Sequence, residues 1–156
     1  MENDDLTDDN RSIVMAEIMT PEMSNFHGNV HGGHILKMLD RVAYACASRY
    51  SGKYIVTLSV DQVIFKEPIH VGELVSFHAA VNYVGSSSME IGIRVVAENL
   101  ITQKHRHTNT CYFTMVALDQ AGKPTKVNPL TLNTATEKRR YQDALLRKET
   151  RLKMKS

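Results

Sequence analysis

Apolar positions along the chain recur at two different spacings, and the spacing assigns the elements. From residue 33 to residue 50 they follow a helical period: at about 100° per residue, Ile35, Leu36, Met38, Leu39, Val42, Ala43, Ala45, Cys46 and Ala47 fill an arc of roughly 200°. Lys37, Arg41, Tyr44 and Ser48 take the opposite side. So wide an arc predicts a helix wrapped by other structure, with Asp40, the one acid between Met23 and Val60, on its margin. Elsewhere the pattern is that of strands. Residues 12–19 are apolar and partly β-branched, with Pro21 closing the run. Residues 54–65, 73–84, 88–99 and 105–118 predict four more strands, separated by turn residues at Glu67-Pro68 with Gly72, at Gly85-Ser86-Ser87 and at 99–104. In the second of these, Leu74, Ser76, His78 and Ala80 alternate with Val75, Phe77, Ala79 and Val81. Long neighbouring strands make an antiparallel sheet whose apolar face needs a cover, and the preceding helix supplies one. The expected fold is α+β, a single domain with a curved antiparallel sheet around a long central helix. A strongly helix-forming run from Thr136, capped by Thr134 or Thr136, adds a C-terminal helix.

Composition narrows the class. A chain of 156 residues with 42% hydrophobic and 23% charged residues is the size of one globular domain. The expected organisation is a flexible acidic N-terminus over 1–11, a folded domain over 12–133 and a basic helix over 134–156. No apolar run reaches the roughly 20 residues of a membrane span, and the start is acidic where an export signal is basic and then apolar. A cytoplasmic protein is expected, with Cys46 and Cys111 reduced and buried. The net charge of +2 hides an asymmetry: residues 1–10 carry five acids and no Lys or Arg, whereas residues 137–156 carry eight basic residues against three acids. A basic tail suits a phosphate-bearing ligand or nucleic acid. With no aromatic-rich motif beside it, a solvated helix face is the simpler meaning and nucleic acid the weakest.

Candidate chemistry concentrates between residues 23 and 40. Three glycines and two asparagines make residues 23–33 a loop able to approach a ligand closely. Asp40 beside the apolar arc is a candidate general base or carboxylate nucleophile, its basicity raised by an apolar setting; the alternative is a surface aspartate paired to Arg41. The amides of Gly32 and Gly33, at the start of the helix, are candidate donors to a developing oxyanion. His27, His31 and His34 have the i, i+4, i+7 spacing of a helical metal site, but the glycines among them break such a helix, so no metal is assigned. His105 and His107 read as exposed strand residues. The Gly85–Ser88 run offers amides and hydroxyls to a phosphate, or is a plain hairpin turn.

The order of these motifs resembles the hotdog-fold acyl-CoA thioesterases, in the brain and bacterial acyl-CoA hydrolase branch. The resemblance rests on Asn25–Asp40 (NFHGNVHGGHILKMLD), Ile55–Asp61 (IVTLSVD), Phe65–Gly72 (FKEPIHVG), Val84–Glu90 (VGSSSME) and Phe113–Asp119 (FTMVALD), and extends to the basic tail. It implies hydrolysis of fatty acyl-CoA to free acid and coenzyme A without a metal or cofactor. It also implies Asp40 as the catalytic acid position and Asn25 as its partner, positioning water or the thioester carbonyl from the opposite subunit. Ser86, Ser87 and Ser88 would lie near the coenzyme A nucleotide, and Arg139, Arg140 and Arg147 become unranked candidates for its phosphates. The implied assembly is a dimer whose two sheets join, usually a trimer of dimers, with nucleotide regulation at a subunit interface open. Two other classes remain: a hotdog hydratase, whose usual catalytic histidine motif is not evident, and a non-catalytic acyl-CoA or nucleotide sensing module.

Overall fold

The apolar arc of the central helix is buried on one side only. In the computed structural model, which describes residues 10–155, Gly32–Ser51 form α1 and bury Ile35, Met38, Leu39, Val42, Ala43, Cys46 and Ala47, while Leu36 remains 40% exposed. His31 caps the helix start, its Nδ1 accepting from the Gly33 N–H at 3.0 Å. Gly52 ends the helix in the left-handed conformation, φ +66°, that a glycine adopts without a steric penalty.

Five strands form one antiparallel sheet: β1 (Ser12–Ile18), β2 (Tyr54–Val60), β3 (Leu74–Val84), β4 (Ser88–Asn99) and β5 (Lys104–Leu118). Their spatial order is β1-β3-β4-β5-β2, so β1 and β2 are the edges. The alternation seen in residues 74–81 sets which face is inside: Val75, Phe77, Ala79 and Val81 are buried, as are Ile91, Ile93 and Val95 of β4 and Cys111, Phe113 and Met115 of β5. The sheet curls around α1 with three register shifts, at Thr57/Ser59, Val81/Tyr83 and Val95/Val96.

The predicted strand over 54–65 ends early, at Val60. Beyond it the chain leaves the sheet because its polar groups are claimed elsewhere: Asp61 pairs with Arg151 at 2.8 Å, and Arg106 of β5 holds the following segment through Glu67, the Pro68 carbonyl and the buried Glu73. The basic helix α2 (Ala135–Met154) begins at Thr134, whose Oγ1 accepts from the Glu137 N–H while Glu137 Oε2 accepts from the Thr134 N–H. It lies on the outer face of the sheet, opposite α1, with Arg147 bound to Glu90 of β4, Lys148 to Tyr83 of β3, and Ala144 fully buried. Most of the acidic stretch expected at 1–11 lies outside the described residues.

Candidate active site

Asp40 sits in the third turn of α1, where the helix passes the open edge of β2. Thr57 on that strand donates its hydroxyl to Asp40 Oδ1 at 2.6 Å. Oδ2 has no partner among the described residues. The pair lines an open cleft of about 460 Å³ with Lys37, Arg41, Tyr44, Tyr54 and Val56. Arg41 does not pair with the aspartate; its Nη1 turns to Met38 Sδ at 3.7 Å. The apolar setting expected for Asp40 is absent within one chain, where the residue is exposed. Its surroundings are nonetheless apolar and uncovered: Leu36, Tyr44, Tyr54 and Leu58 are 40%, 43%, 64% and 61% exposed.

Asn25 lies in the loop before α1, and its own loop uses one end of its side chain. Asn25 Oδ1 accepts the N–H groups of His27 (2.9 Å) and Asn29 (3.2 Å), while its backbone N–H donates to the Asn29 carbonyl at 2.6 Å. The Nδ2 group remains a free donor among the described residues. Gly28, at φ +79°, makes the tight turn that closes this loop. The loop is tied from behind: the Val30 N–H bonds the Ile69 carbonyl at 2.8 Å, and His70 Nδ1 contacts Asn29 Oδ1 at 3.1 Å. The His70 N–H is held by Glu73 Oε1 at 2.8 Å, and Glu73 by Arg106 at 2.7 Å. A half-buried ion pair thus anchors the segment on which the Asn25 loop rests. Glu73, His70 and Arg106 carry no sequence signal of this role, because their connection spans strands far apart in the chain.

At the helix start the two glycines differ. The Gly33 amide donates to the His31 ring Nδ1 at 3.0 Å. The Gly32 amide, in the first helical position, has no partner among the described residues and lies under the Phe65 ring, whose nearest atoms are 3.6 Å from where a Cβ would be. At a rise of about 1.5 Å per residue, the eight residues from Gly32 to Asp40 place the two sites about 12 Å apart along α1. One chain therefore brings Asp40 to Thr57 but leaves Gly32 about 12 Å away along the helix.

The histidines separate in space. His31 caps α1, His34 faces Glu17 at 3.6 Å, and His27 is exposed. No group of three metal-ligating side chains occurs among the described residues. His105 and His107 are exposed, near Glu98 and bonded to Thr110. The Gly85–Ser88 turn is a hairpin locked to its surroundings: the Ser86 and Ser87 carbonyls accept from Val127 and Ala117, and Ser88 lines a groove of about 130 Å³ under α2.

Of the tail arginines, Arg147 is committed to structure. Its Nε and Nη2 donate to Glu90 at 3.1 and 2.7 Å, and its guanidinium stacks 3.6 Å over Tyr112. Burial works against its charge, but the Glu90 carboxylate outweighs that and raises its pKa. Cys46 and Cys111 are free and buried. Burial, with a smaller contribution from Asp61, pushes the Cys111 thiol up to about 12.

Comparison with known proteins bears on this geometry. Residues 27–102 match the model of the thioesterase superfamily. The chain is 49% identical over 145 residues to protein VdlD of Helicobacter pylori, covering 93% of this chain and 83% of that one. Among solved structures it is similar to an apo-hexameric acyl-CoA thioesterase, with 34% identity, TM-score 0.89 and 93% of each chain covered. It is also similar to the acyl-CoA hydrolase of Staphylococcus aureus solved with butyryl coenzyme A, coenzyme A and coenzyme A disulfide, with 31% identity, TM-score 0.85, and 92% and 88% covered. Alanine variants of that hydrolase replace an asparagine, an aspartate and a threonine separated by 15 and 17 residues. Asn25, Asp40 and Thr57 are separated by the same 15 and 17 residues. Thr57 lies inside the IVTLSVD motif but was not singled out by sequence, since one threonine in a strand has no distinguishing pattern.

Proposed function

Because this chain belongs to the acyl-CoA hydrolases of the thioesterase superfamily, we propose that it hydrolyses fatty acyl-CoA to free fatty acid and coenzyme A at a site built by two protomers. The observation that carries the two-protomer reading is the separation of Asp40 from Gly32 along α1. A reacting carbon must lie about 3 Å from both the attacking group and the oxyanion donor, and a gap of about 12 Å excludes that within one chain. The open edge of β2, with Tyr54, Leu58 and Val60 exposed, supports strand pairing with a second copy, which also covers the apolar rim around Asp40. Assembly into a hexamer, as in the similar thioesterase, fits the same edge.

In this mechanism Asp40 Oδ2 takes a proton from water as the water oxygen attacks the thioester carbon. Thr57 holds Oδ1, fixing the carboxylate's orientation. The carbonyl oxygen gains negative charge and is met by the Gly32 amide at the positive end of α1 of the partner protomer. Asn25 Nδ2, its Oδ1 already committed to the loop, donates to the attacking water or the carbonyl. The tetrahedral intermediate then expels the coenzyme A thiolate. Direct attack by Asp40 through a mixed anhydride uses the same residues. Side chains and backbone of the chain itself supply every step.

The test is thiol release from acyl-CoAs of graded chain length by wild type and Asp40→Asn matched for oligomeric state. Release that depends on Asp40 is expected. Tight acyl-CoA binding without release by the wild type would replace hydrolysis with the sensing module.

A further inference from the structure

Three arginines have neither an ion pair nor a side-chain hydrogen bond among the described residues, and all three line one groove. They are Arg94 on β4 and Arg139 and Arg140 near the start of α2. Elsewhere the arginines are engaged: Arg11 with Glu137, Arg49 with the Ser12 carbonyl, Arg106 with Glu67 and Glu73, Arg147 with Glu90, and Arg151 with Asp61. The groove, about 790 Å³, runs over the outer face of the sheet between α2 and β1, within the range of small-molecule sites. Its floor is kept low by small residues in register across neighbouring strands, Ser12, Ala80 and Gly92, with Tyr112 next in the row. Gly92 admits no side chain: a Cβ there would lie 2.5 Å from Asn82 Nδ2 and 3.3 Å from Tyr112. His78, paired in register with Arg94, adds a further nitrogen to the wall.

Among the described residues the one carboxylate lining the groove, Asp143, is one helical turn from Arg139 yet within 4 Å of no arginine. Glu90 below is already bound by Arg147 and Asn82. Three guanidinium groups with no ion pair among the described residues repel one another on one concavity, and an anion with several charges relieves that repulsion. The planar guanidinium fork matches phosphate oxygens two at a time. We propose that this groove binds a small molecule carrying two or more adjacent phosphate groups. It lies on the opposite face of the sheet from α1 and Asp40, so it is distinct from the thioester site of the same chain and does not depend on the hydrolase reading. The occupant is a free oligophosphate, separate from the coenzyme A of the thioester site.

The experiment titrates inorganic pyrophosphate, and separately coenzyme A, into the assembled full chain at about 0.15 M salt, where only close contacts escape screening. The variant combines Arg94→Gln, Arg139→Gln and Arg140→Gln, and melting temperature checks its fold. Pyrophosphate is expected to bind the wild type and to bind the variant at least about tenfold more weakly. Lysines at the same three positions, keeping charge but losing the fork, are expected to fall between. Unchanged coenzyme A affinity in the variant is expected for a separate site; an equal loss for coenzyme A would make the groove part of substrate binding and overturn the proposal. Equal pyrophosphate affinity in wild type and variant, or no saturation in the wild type at millimolar concentrations, overturns the site and leaves a solvated cationic face. If the triple variant does not fold, Arg140→Gln alone is read by the same criterion, with a loss of several-fold expected.

Discussion

Glu90 and Asp40 are carboxylates on the two sides of one sheet, and their surroundings could hardly differ more. Glu90 is 2% exposed and accepts from Asn82 and from two nitrogens of Arg147, with Arg151 at 3.5 Å. Asp40 is exposed and, among the described residues, accepts from Thr57 alone. A buried charge persists only when it is paired and its lone pairs are filled, so Glu90 is a structural anchor that clamps α2 to the sheet. Asp40 keeps one oxygen unfilled beside an uncovered strand edge, which is what a base needs if a second copy completes its pocket. Saturation marks the group that holds the fold, and vacancy marks the group offered for chemistry.

That contrast breaks first at Asp40. Asp40→Asn is expected to lower kcat/KM for acyl-CoA by about 10²- to 10⁴-fold, the usual worth of a general base. Its melting temperature should stay close to the wild type, because one exposed hydrogen bond is lost. The mirror experiment is Glu90→Ala, which leaves Arg147 without its partner. A loss of about 3 kcal/mol in urea unfolding is expected, reduced from the full penalty of a broken buried pair to the extent that Arg147 reaches solvent. If Glu90→Ala cost nothing, saturation would not signify anchoring. Thr57→Val keeps the shape and removes the donor to Asp40. About a tenfold drop in kcat/KM is expected, equivalent to one charge-assisted hydrogen bond of about 1.5 kcal/mol; an unchanged pH–rate profile and rate would remove Thr57 from the site.

The smallest effect concerns Cys111. Its thiol is raised in the folded state to about 12. In the unfolded chain it ionises near the ordinary value, so above that pH the unfolded state holds fewer protons and gains stability relative to the fold. Folding stability is therefore expected to decline as pH rises above about 9, and Cys111→Ala should flatten that decline. Equal slopes in the two proteins would assign the alkaline loss to other groups.

Local pattern was enough for the elements. The helical arc of residues 33–50 and the alternation of 74–81 both describe contacts with one continuous core, so α1, β3 and the α+β architecture were legible. Leu36 shows the limit: it belongs to the arc by hydrophobicity but stays 40% exposed in the single chain, and periodicity alone does not say which part of an arc is covered. The strand over 54–65 was overextended for a similar reason, since Ile64 and Phe65 are apolar yet 52% and 47% exposed, and the Arg106 clamp on the segment is a long-range contact. The basic tail read as a solvated face, and Arg147 and Arg151 contradict that by reaching Glu90 and Asp61, 57 and 90 residues away in sequence. Asp40 was a candidate from its place beside the apolar arc, whereas Asn25 stood out only through the motif resemblance. The distance from Asp40 to Gly32 along α1 could be read only once the helix start was fixed at Gly32.

The two-protomer site is tested most directly by complementation. Asp40→Asn and Asn25→Ala proteins are each expected to be nearly inactive. Dissociated, mixed in equal amounts and reassembled, they should form mixed dimers in which one site carries both defects and the other neither. Random pairing then restores about a quarter of wild-type thiol release. A mixture as inactive as its parents, from assemblies shown to have exchanged subunits, would contradict a site shared between copies.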